Sequence, residues 1–248
     1  MKSTVAVGTS ARLSRIANEL SAPGVTARIA SNPEFLREGL AIKDTLQPGR
    51  IVLGADDSSG EYVGDVARIV CTPMIENGIP FLVTNRETAE IVKAAANAFL
   101  ATKISFINAM AEVCEVAGAD VVELADALGY DARIGRGFLN AGVGFGGGCL
   151  PKHIRAFMAR AGELGENQAL MLLREVDSIT MRRRAHLVEL AREAVGGSLF
   201  GARVAVLGAA FKPDSDDVRD SPALSVAGQL QLQGAVVTVY DLKAIANA

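Results

Sequence analysis

The 248-residue sequence holds little that would mark a metal-binding, membrane or nucleic-acid protein. Its three cysteines, Cys71, Cys114 and Cys149, have no metal-ligand spacing, so no metal site is expected. An odd cysteine count without an export signal points to free thiols in a reducing cytoplasm. Apolar stretches such as Ile91 to Ala101 are broken by Lys93 and bounded by Lys103, so none reads as a membrane span. Met1-Lys2 runs directly into "STVAV", with no signal peptide, and a cytoplasmic location is expected. A formal charge of -3 argues against nucleic acid as the main partner. The one basic run, "MRRRAH" at 181–186, falls in a helical pattern and reads as a solvated helix face. No G-x-G-x-x-G follows a strand. Glycines 142, 144 and 147 have that spacing but come after helices, which makes the match weak.

Half of the residues are apolar, enough to core one large domain or two small ones. "STVAVG", "RIVLGA" and "IPFLVTN" read as strands, "ARIASNPEF" as a strand broken at Asn32-Pro33, and "SSGEYVGDVARIVCTPMIEN" as a helix. Alternation of strand and helix implies a parallel α/β sheet. From Glu87 to about Gly118 the pattern is helical and free of proline and glycine until its end. "DVVELADALG", "PKHIRAFMARAGELG" and a second long helix from about Asn167 to Val195 follow. "ARVAVLGAAFKPDSDDVRDSPALSVAGQLQLQGAVVTVYD" returns to a strand, a polar loop, a helix opened by Ser221-Pro222 and a strand ending at Asp241. The fold class is therefore α/β: a partial Rossmann-like domain at 1–84, an all-α domain at 85–198 and the start of a second Rossmann-like domain at 199–248. Both ends read as cut, since two strands and a helix make no stable sheet domain alone.

The stretch "GVGFGGGCLPKH" places five glycines in positions 142–148, directly ahead of Cys149. Glycine runs lose backbone entropy on ordering and bury no side chain, so they occur where something must approach the backbone or φ must be positive. Leu150-Pro151 reads as a helix start, which places Cys149 at a helix N-terminus, where free N–H groups and the dipole favour a thiolate. Lys152 adds positive charge nearby. The reading is a loop that admits a ligand, followed by an activated cysteine; the alternative is a flexible turn with a structural thiol.

Lys93 and Asn97 are four apart on one helix face. On context alone the lysine is a surface charge; facing a pocket, the pair would offer an ammonium and an amide to an oxyanion. Glu34 and Glu38, also four apart, follow Pro33, which suits a helix start. They read either as dipole partners in a first turn or as a general base with a ligand contact. "FKPDSDDVRDSP" follows the C-terminal end of a strand, where open α/β sheets bind ligands, and its Lys212 and Arg219 could meet phosphate oxygens.

Five stretches, "STVAVGT", "SNPEFLREGLAIKD", "NAFLATKISFIN", "RIGRGFLNAGVGFGGGCLPK" and "VLGAAFKPDSDDVRDSP", together resemble the UDP-glucose/GDP-mannose dehydrogenase family in order and spacing. The resemblance implies oxidation of a nucleotide sugar's 6-hydroxyl to a carboxylate with two NAD⁺, UDP-glucose being the expected substrate and GDP-mannose or UDP-N-acetylmannosamine the rivals. It makes Cys149 the nucleophile, carrying a thiohemiacetal and then a thioester between two hydride transfers. Lys93 and Asn97 match oxyanion-stabilising residues, Glu34 the residue tied to thioester hydrolysis, and Thr4 one that helps place water. Thr4, Glu38, Lys152 and Arg219 match cofactor contacts. Glu34, Phe35, Leu36, Arg37 and Glu38, with Lys93, match sugar-nucleotide contacts. So do Phe138, Leu139, Asn140, Ala141, Gly142, Gly146, Phe211 and Lys212. Arg133 matches a residue that the family sends into a neighbouring subunit's site, so a homodimer about the long helix is expected.

Three departures stand against this. The family has an aspartate where this chain has His153, which either still holds water and takes a proton, or leaves the site crippled. The family's N-terminal half-domain with its G-x-G-x-x-G is missing, and so is most of the nucleotide-binding domain beyond Asp241. Two other readings follow from these: a non-catalytic remnant that only dimerises, and a thiol-dependent hydrolase built on Cys149 and His153.

Overall fold

The computed structural model describes residues 1–56 and 60–248 and divides into two units, Met1–Ala96 and Asn97–Ala248. The first unit carries helices α1 (Thr9–Leu20) and α2 (Ala41–Leu46), strand β1 (Ile51–Gly54), helix α3 (Gly60–Glu76) and strand β2 (Phe81–Thr84). Helix α4 (Arg86–Ala117) begins in it and continues into the second unit. Strands β1 and β2 pair in parallel from Ile51 opposite Phe81 to Gly54 opposite Thr84. All four β1 residues are buried, as expected of a strand covered on both faces. The helix read from Ser58 to Asn77 is present as α3, while its expected first residues, Ser58 and Ser59, lie outside the described residues.

Two expected strands do not form. Residues 3–8 turn into α1 instead: Ala6 O accepts from Thr9 N at 3.1 Å, and Gly8 takes φ 92° at the helix N-cap. The free N–H groups of α1 then meet Glu90, whose buried carboxylate accepts from Gly8 N and Ser10 N at 2.7 Å each and from Ser10 Oγ. The stretch at 27–31 keeps only an antiparallel bridge between Ser31 and Gly54. Its backbone groups bond elsewhere: Ala27 with the Asn18 amide, Ile29 O with Arg86 Nε, and Ala30 O with the N-terminal ammonium. Glu34 and Glu38 do not open a helix either, since 32–40 is irregular.

In the second unit the remainder of α4 packs with α5 (Val121–Gly129), α6 (Leu150–Glu163) and α7 (Met171–Ala194), the last starting later than the sequence suggests. Asp120 caps α5 by accepting from Val122 N and Glu123 N. One core cluster joins Ala98 and Ala101 of α4, Phe145, Ile154 of α6, and Leu173 and Val176 of α7. A second joins Ile107, Ala125 and Leu139. Strands β3 (Arg203–Leu207) and β4 (Val236–Tyr240) pair in parallel around helix α8 (Pro222–Leu232), capped by Ser221 as expected. Val188 of α7 packs into this βαβ unit with Leu199, Val226 and Leu230. The chain closes on a 3-10 turn at Ile245–Asn247.

Asp241, just after β4, ties this unit together. Its two carboxylate oxygens accept from the backbone N–H groups of Ala209, Ala210, Lys243 and Ala244. These bonds, Ala244's foremost, hold its carboxyl well below the usual carboxylate range.

Candidate active site

Cys149 is the N-cap of α6, with Leu150 and Pro151 following as expected, and its side chain is exposed. Its carbonyl accepts from His153 N at 2.9 Å, so the imidazole rises from the first turn above the thiol's own residue. His153 Nδ1 lies 2.7 Å from Asn97 Nδ2 on α4. An amide nitrogen only donates, so this contact makes Nδ1 the acceptor and leaves the proton of the neutral ring on Nε2. Asn97 itself is buried.

The glycine loop is approached closely, as expected, but by the chain itself. A methyl group on Gly146 would overlap Asp220 O and lie 2.7 Å from Pro222 Cδ. One on Gly147, whose φ is 88°, would lie 2.5 Å from the Phe211 ring. One on Gly148 would lie 2.7 Å from the Arg219 guanidinium carbon. Three successive glycines thus let the segment after β3 lie on the loop, and Gly147 N donates to Arg219 O at 3.0 Å. Gly142, by contrast, has open space where a side chain would go. Its N–H donates to Asn108 Oδ1 and its carbonyl accepts from Arg183 Nε.

Arg219, expected to meet phosphate, makes a bidentate pair with Asp217, Nε to Oδ1 at 3.0 Å and Nη2 to Oδ2 at 2.6 Å. Lys212 Nζ sits 5.7 Å from the centre of the Phe211 ring, and Lys152 is exposed on α6. Phe138 holds φ 66° and is partly exposed, whereas Leu139 is a core side chain that offers only backbone to a ligand. Asn140 Oδ1 and Leu139 O both accept from Arg136 Nη1. Ala141 packs beside Leu139, and Arg133 is exposed and paired with Asp131.

In the first unit, Lys93 is not the surface charge that its context suggests: it is only 7% exposed. Its ammonium lies 3.7 Å from Glu34 Oε1 and 5.5 Å from the Phe35 ring centre. The Phe35 ring also carries the Arg50 guanidinium, 3.9 Å from its centre. Thr4 Oγ1 donates to Glu34 Oε1 at 3.4 Å, and Leu36 N to Glu34 Oε2 at 2.6 Å. Thr4, Glu34, Phe35 and Lys93 therefore form one group; Glu38 lies in the same irregular segment, half-buried.

Arg37 turns to Asp44, Nε to Oδ2 at 2.9 Å and Nη2 to Oδ1 at 2.6 Å. The Arg37 guanidinium holds the Asp44 carboxyl down to about 2. A carboxyl lowered on folding stabilises above its ordinary pKa and loses that contribution as pH falls through the folded value. Order in the 36–46 segment is expected to weaken as pH drops from roughly 4 to about 2. Asp44→Asn should lose that protection already at neutral pH and show no further step, as read by NMR of the segment's amides. An acid step of unchanged size in the variant would refute the assignment.

The sequence reading missed four residues that shape the loop: Asn108, Thr180, Arg184 and Asp220. Arg184, placed on a solvated face by composition, is buried. The signal was available, because the buried positions of α7 run Leu173, Val176, Thr180, Arg184, Val188, a single helical stripe through the basic run. Among the described residues no three His, Cys, Asp or Glu side chains cluster as metal ligands, and no helix is long and apolar enough to cross a membrane.

Three models of one family match the chain in sequence order. They are the NAD binding domain of the UDP-glucose/GDP-mannose dehydrogenase family at residues 1–74, its central domain at 87–180 and its UDP binding domain at 205–248. The chain belongs to this family. A UDP-glucose 6-dehydrogenase of Rhizobium meliloti (strain 1021) is 43% identical over 247 residues, covering 100% of this chain and 56% of that protein. UDP-glucose 6-dehydrogenase TuaD of Bacillus subtilis (strain 168) is 44% identical over 248 residues, covering 100% of this chain and 52% of that protein. The solved structure of a UDP-glucose dehydrogenase from the hyperthermophilic archaeon Pyrobaculum islandicum matches with a TM-score of 0.91 and 41% identity, over 99% of this chain and 55% of that one. The chain spans about half the length of the curated relatives it matches.

Proposed function

We propose that this chain carries the thiol chemistry of an NAD-dependent UDP-glucose 6-dehydrogenase, which oxidises the sugar's 6-hydroxyl to a carboxylate. The observation that carries the reading is Cys149 at the start of α6, reached through a glycine loop and followed one turn later by the His153–Asn97 contact. Domain bounds of 1–84 for the NAD-binding part, 85–198 for the helical part and 199–248 for the UDP-binding part go with it.

The Cys149 thiolate adds to the C6 aldehyde, and the Asn97 amide donates to the resulting alkoxide; Lys93 is given the part of a further oxyanion partner by the family resemblance. The thiohemiacetal and then the thioester are the covalent states of this cysteine. In the first unit Thr4 Oγ1 donates to Glu34, and the family resemblance ties this pair to the water that cleaves the thioester. The family resemblance makes residues 34–38 of the first unit, and 138–142, Gly146, Phe211 and Lys212 of the second, contacts of the nucleotide sugar. Thr4 and Glu38 of the first unit offer a hydroxyl and a carboxylate, and Lys152 and Arg219 of the second offer two cations, groups suited in kind to the amide, ribose and phosphates of a dinucleotide. By the family resemblance these are the residues that would hold NAD, whose chemistry when bound is to accept a hydride.

His153 takes the aspartate's place as a working substitute. Either side chain accepts from Asn97 Nδ2, so the amide stays aimed in both cases. Turnover of His153→Asp is expected to stay within about tenfold of the parent, and a gain beyond that would mean that the imidazole had crippled the site. A second copy of the chain is read as docking along α4, where Phe99, Phe106 and Val113 are exposed at seven-residue spacing. Phe99 and Phe106 line a groove with Arg133. The reaction is tested by following NADH formation with UDP-glucose, GDP-mannose and UDP-N-acetylmannosamine in turn. Turnover of UDP-glucose supports the reading, preference for another sugar corrects the substrate, and no NADH with any of them rejects it.

A further inference from the structure

Arg184 is 3% exposed on a helix stripe that is otherwise Leu173, Val176, Thr180 and Val188. A buried guanidinium is costly unless it is paired, and this one is paired across two separate segments. Nη2 donates to Phe145 O at 2.9 Å, inside the glycine loop. Nη1 donates to Asp220 Oδ1 at 2.9 Å, on the segment that lies over that loop. Its neighbours on α7 add to the same register: Arg183 Nε donates to Gly142 O at 3.3 Å, and a methyl group on Gly144 would lie 2.6 Å from Thr180 Cγ2.

We propose that Arg184 is a positioning residue for Cys149, its planar fork clamping the glycine loop to the segment ending at Asp220 and so setting where the thiol stands. The loop holds five glycines between 142 and 148 and has the largest backbone freedom of any stretch this short in the chain. Left to itself it would not hold one geometry. Phe145 O is four residues ahead of Cys149, and Gly147 N, bonded to Arg219 O, is two ahead. Fixing these two points fixes the entry of α6. A lysine in place of Arg184 has a single ammonium and cannot serve both acceptors in the same plane. The proposal rests on Cys149 being the reactive thiol, but not on which sugar or cofactor it serves.

The test needs neither substrate nor NAD, so its failure leaves the reaction assigned above standing, and the reverse holds too. Iodoacetamide labelling of Cys71, Cys114 and Cys149 is followed by peptide mass spectrometry in the parent protein, Arg184→Gln and Arg184→Lys. Amide hydrogen exchange is measured on the same samples. In both variants, exchange across 143–148 should speed up by about tenfold or more, while the labelling rate of Cys149 changes severalfold as the loop that leads into α6 loses its fixed geometry. Cys114, buried in α4, should stay unlabelled. Parent-like exchange and labelling at the loop would overturn the proposal. So would the appearance of Cys114 labelling, which reports general loosening, and so would full rescue by lysine. Should Arg184→Gln fail to fold, Asp220→Asn weakens the clamp from its outer side, and the same loop-specific changes are expected, smaller in size.

Discussion

Alanine at Gly146 is expected to destabilise the protein by about 3 kcal/mol, the upper part of the range for overpacking a tight site. The new methyl meets Asp220 O and Pro222 Cδ. Neither can swing aside like the end of a side chain: Asp220 is held by Arg184, and Pro222 opens α8. In a chain of this size the loss corresponds to a fall in Tm of roughly 6–12 °C. Alanine at Gly142, in the same loop, should cost less than about 1 kcal/mol, because nothing stands within 4 Å of the added carbon. Thermal unfolding of the two variants side by side is the measurement. Equal losses would mean that the glycines matter for backbone freedom alone and that the close cover by residues 211–220 is unimportant.

Serine at Cys149 is expected to separate stability from chemistry. Serine is a favoured residue at a helix N-cap, and the thiol it replaces makes no capping hydrogen bond, so stability should change by less than about 0.5 kcal/mol. On the proposed function, oxidation of UDP-glucose should fall by about a thousandfold or more, the scale seen when an enzyme loses its nucleophile. NADH formation and thermal unfolding on the same preparation check both halves. Activity within tenfold of the parent would remove Cys149 from the mechanism.

The elements from β1 to β4 could be read from local pattern, because each carries its own period and punctuation. Examples are the four-residue buried run of β1, the unbroken helical stretch of α4, and Ser221-Pro222 at the start of α8. Helix α1 could not, because what completes its N-terminus is Glu90, some eighty residues away in sequence. The N-terminal stretch looks like a strand by composition, but its backbone bonds to residues 30 and 32 only at Met1 before the chain turns toward α1. At the site, the glycines correctly announced a close approach, and the local pattern could not say that Phe211, Arg219 and Asp220 would make it. Lys93 and Arg184 failed the same way. Composition sends a cation to solvent, whether single like Lys93 or in a run like Arg184, whereas partners from elsewhere in the chain, Glu34 and Phe35 for one and Phe145 and Asp220 for the other, bring it inside.

Asp241 has a chemical consequence for nucleotide recognition. An acid that closes the second strand of a βαβ unit stands where dinucleotide folds commonly grip the two hydroxyls of a ribose. An ionised carboxylate offers about four lone-pair directions, and four backbone N–H groups already occupy those of Asp241. This acid has no valence left for a diol. A nucleotide seated against β3 and β4 must then be told apart by its base and its phosphates, leaving the sugar of the nucleotide unread by this carboxylate.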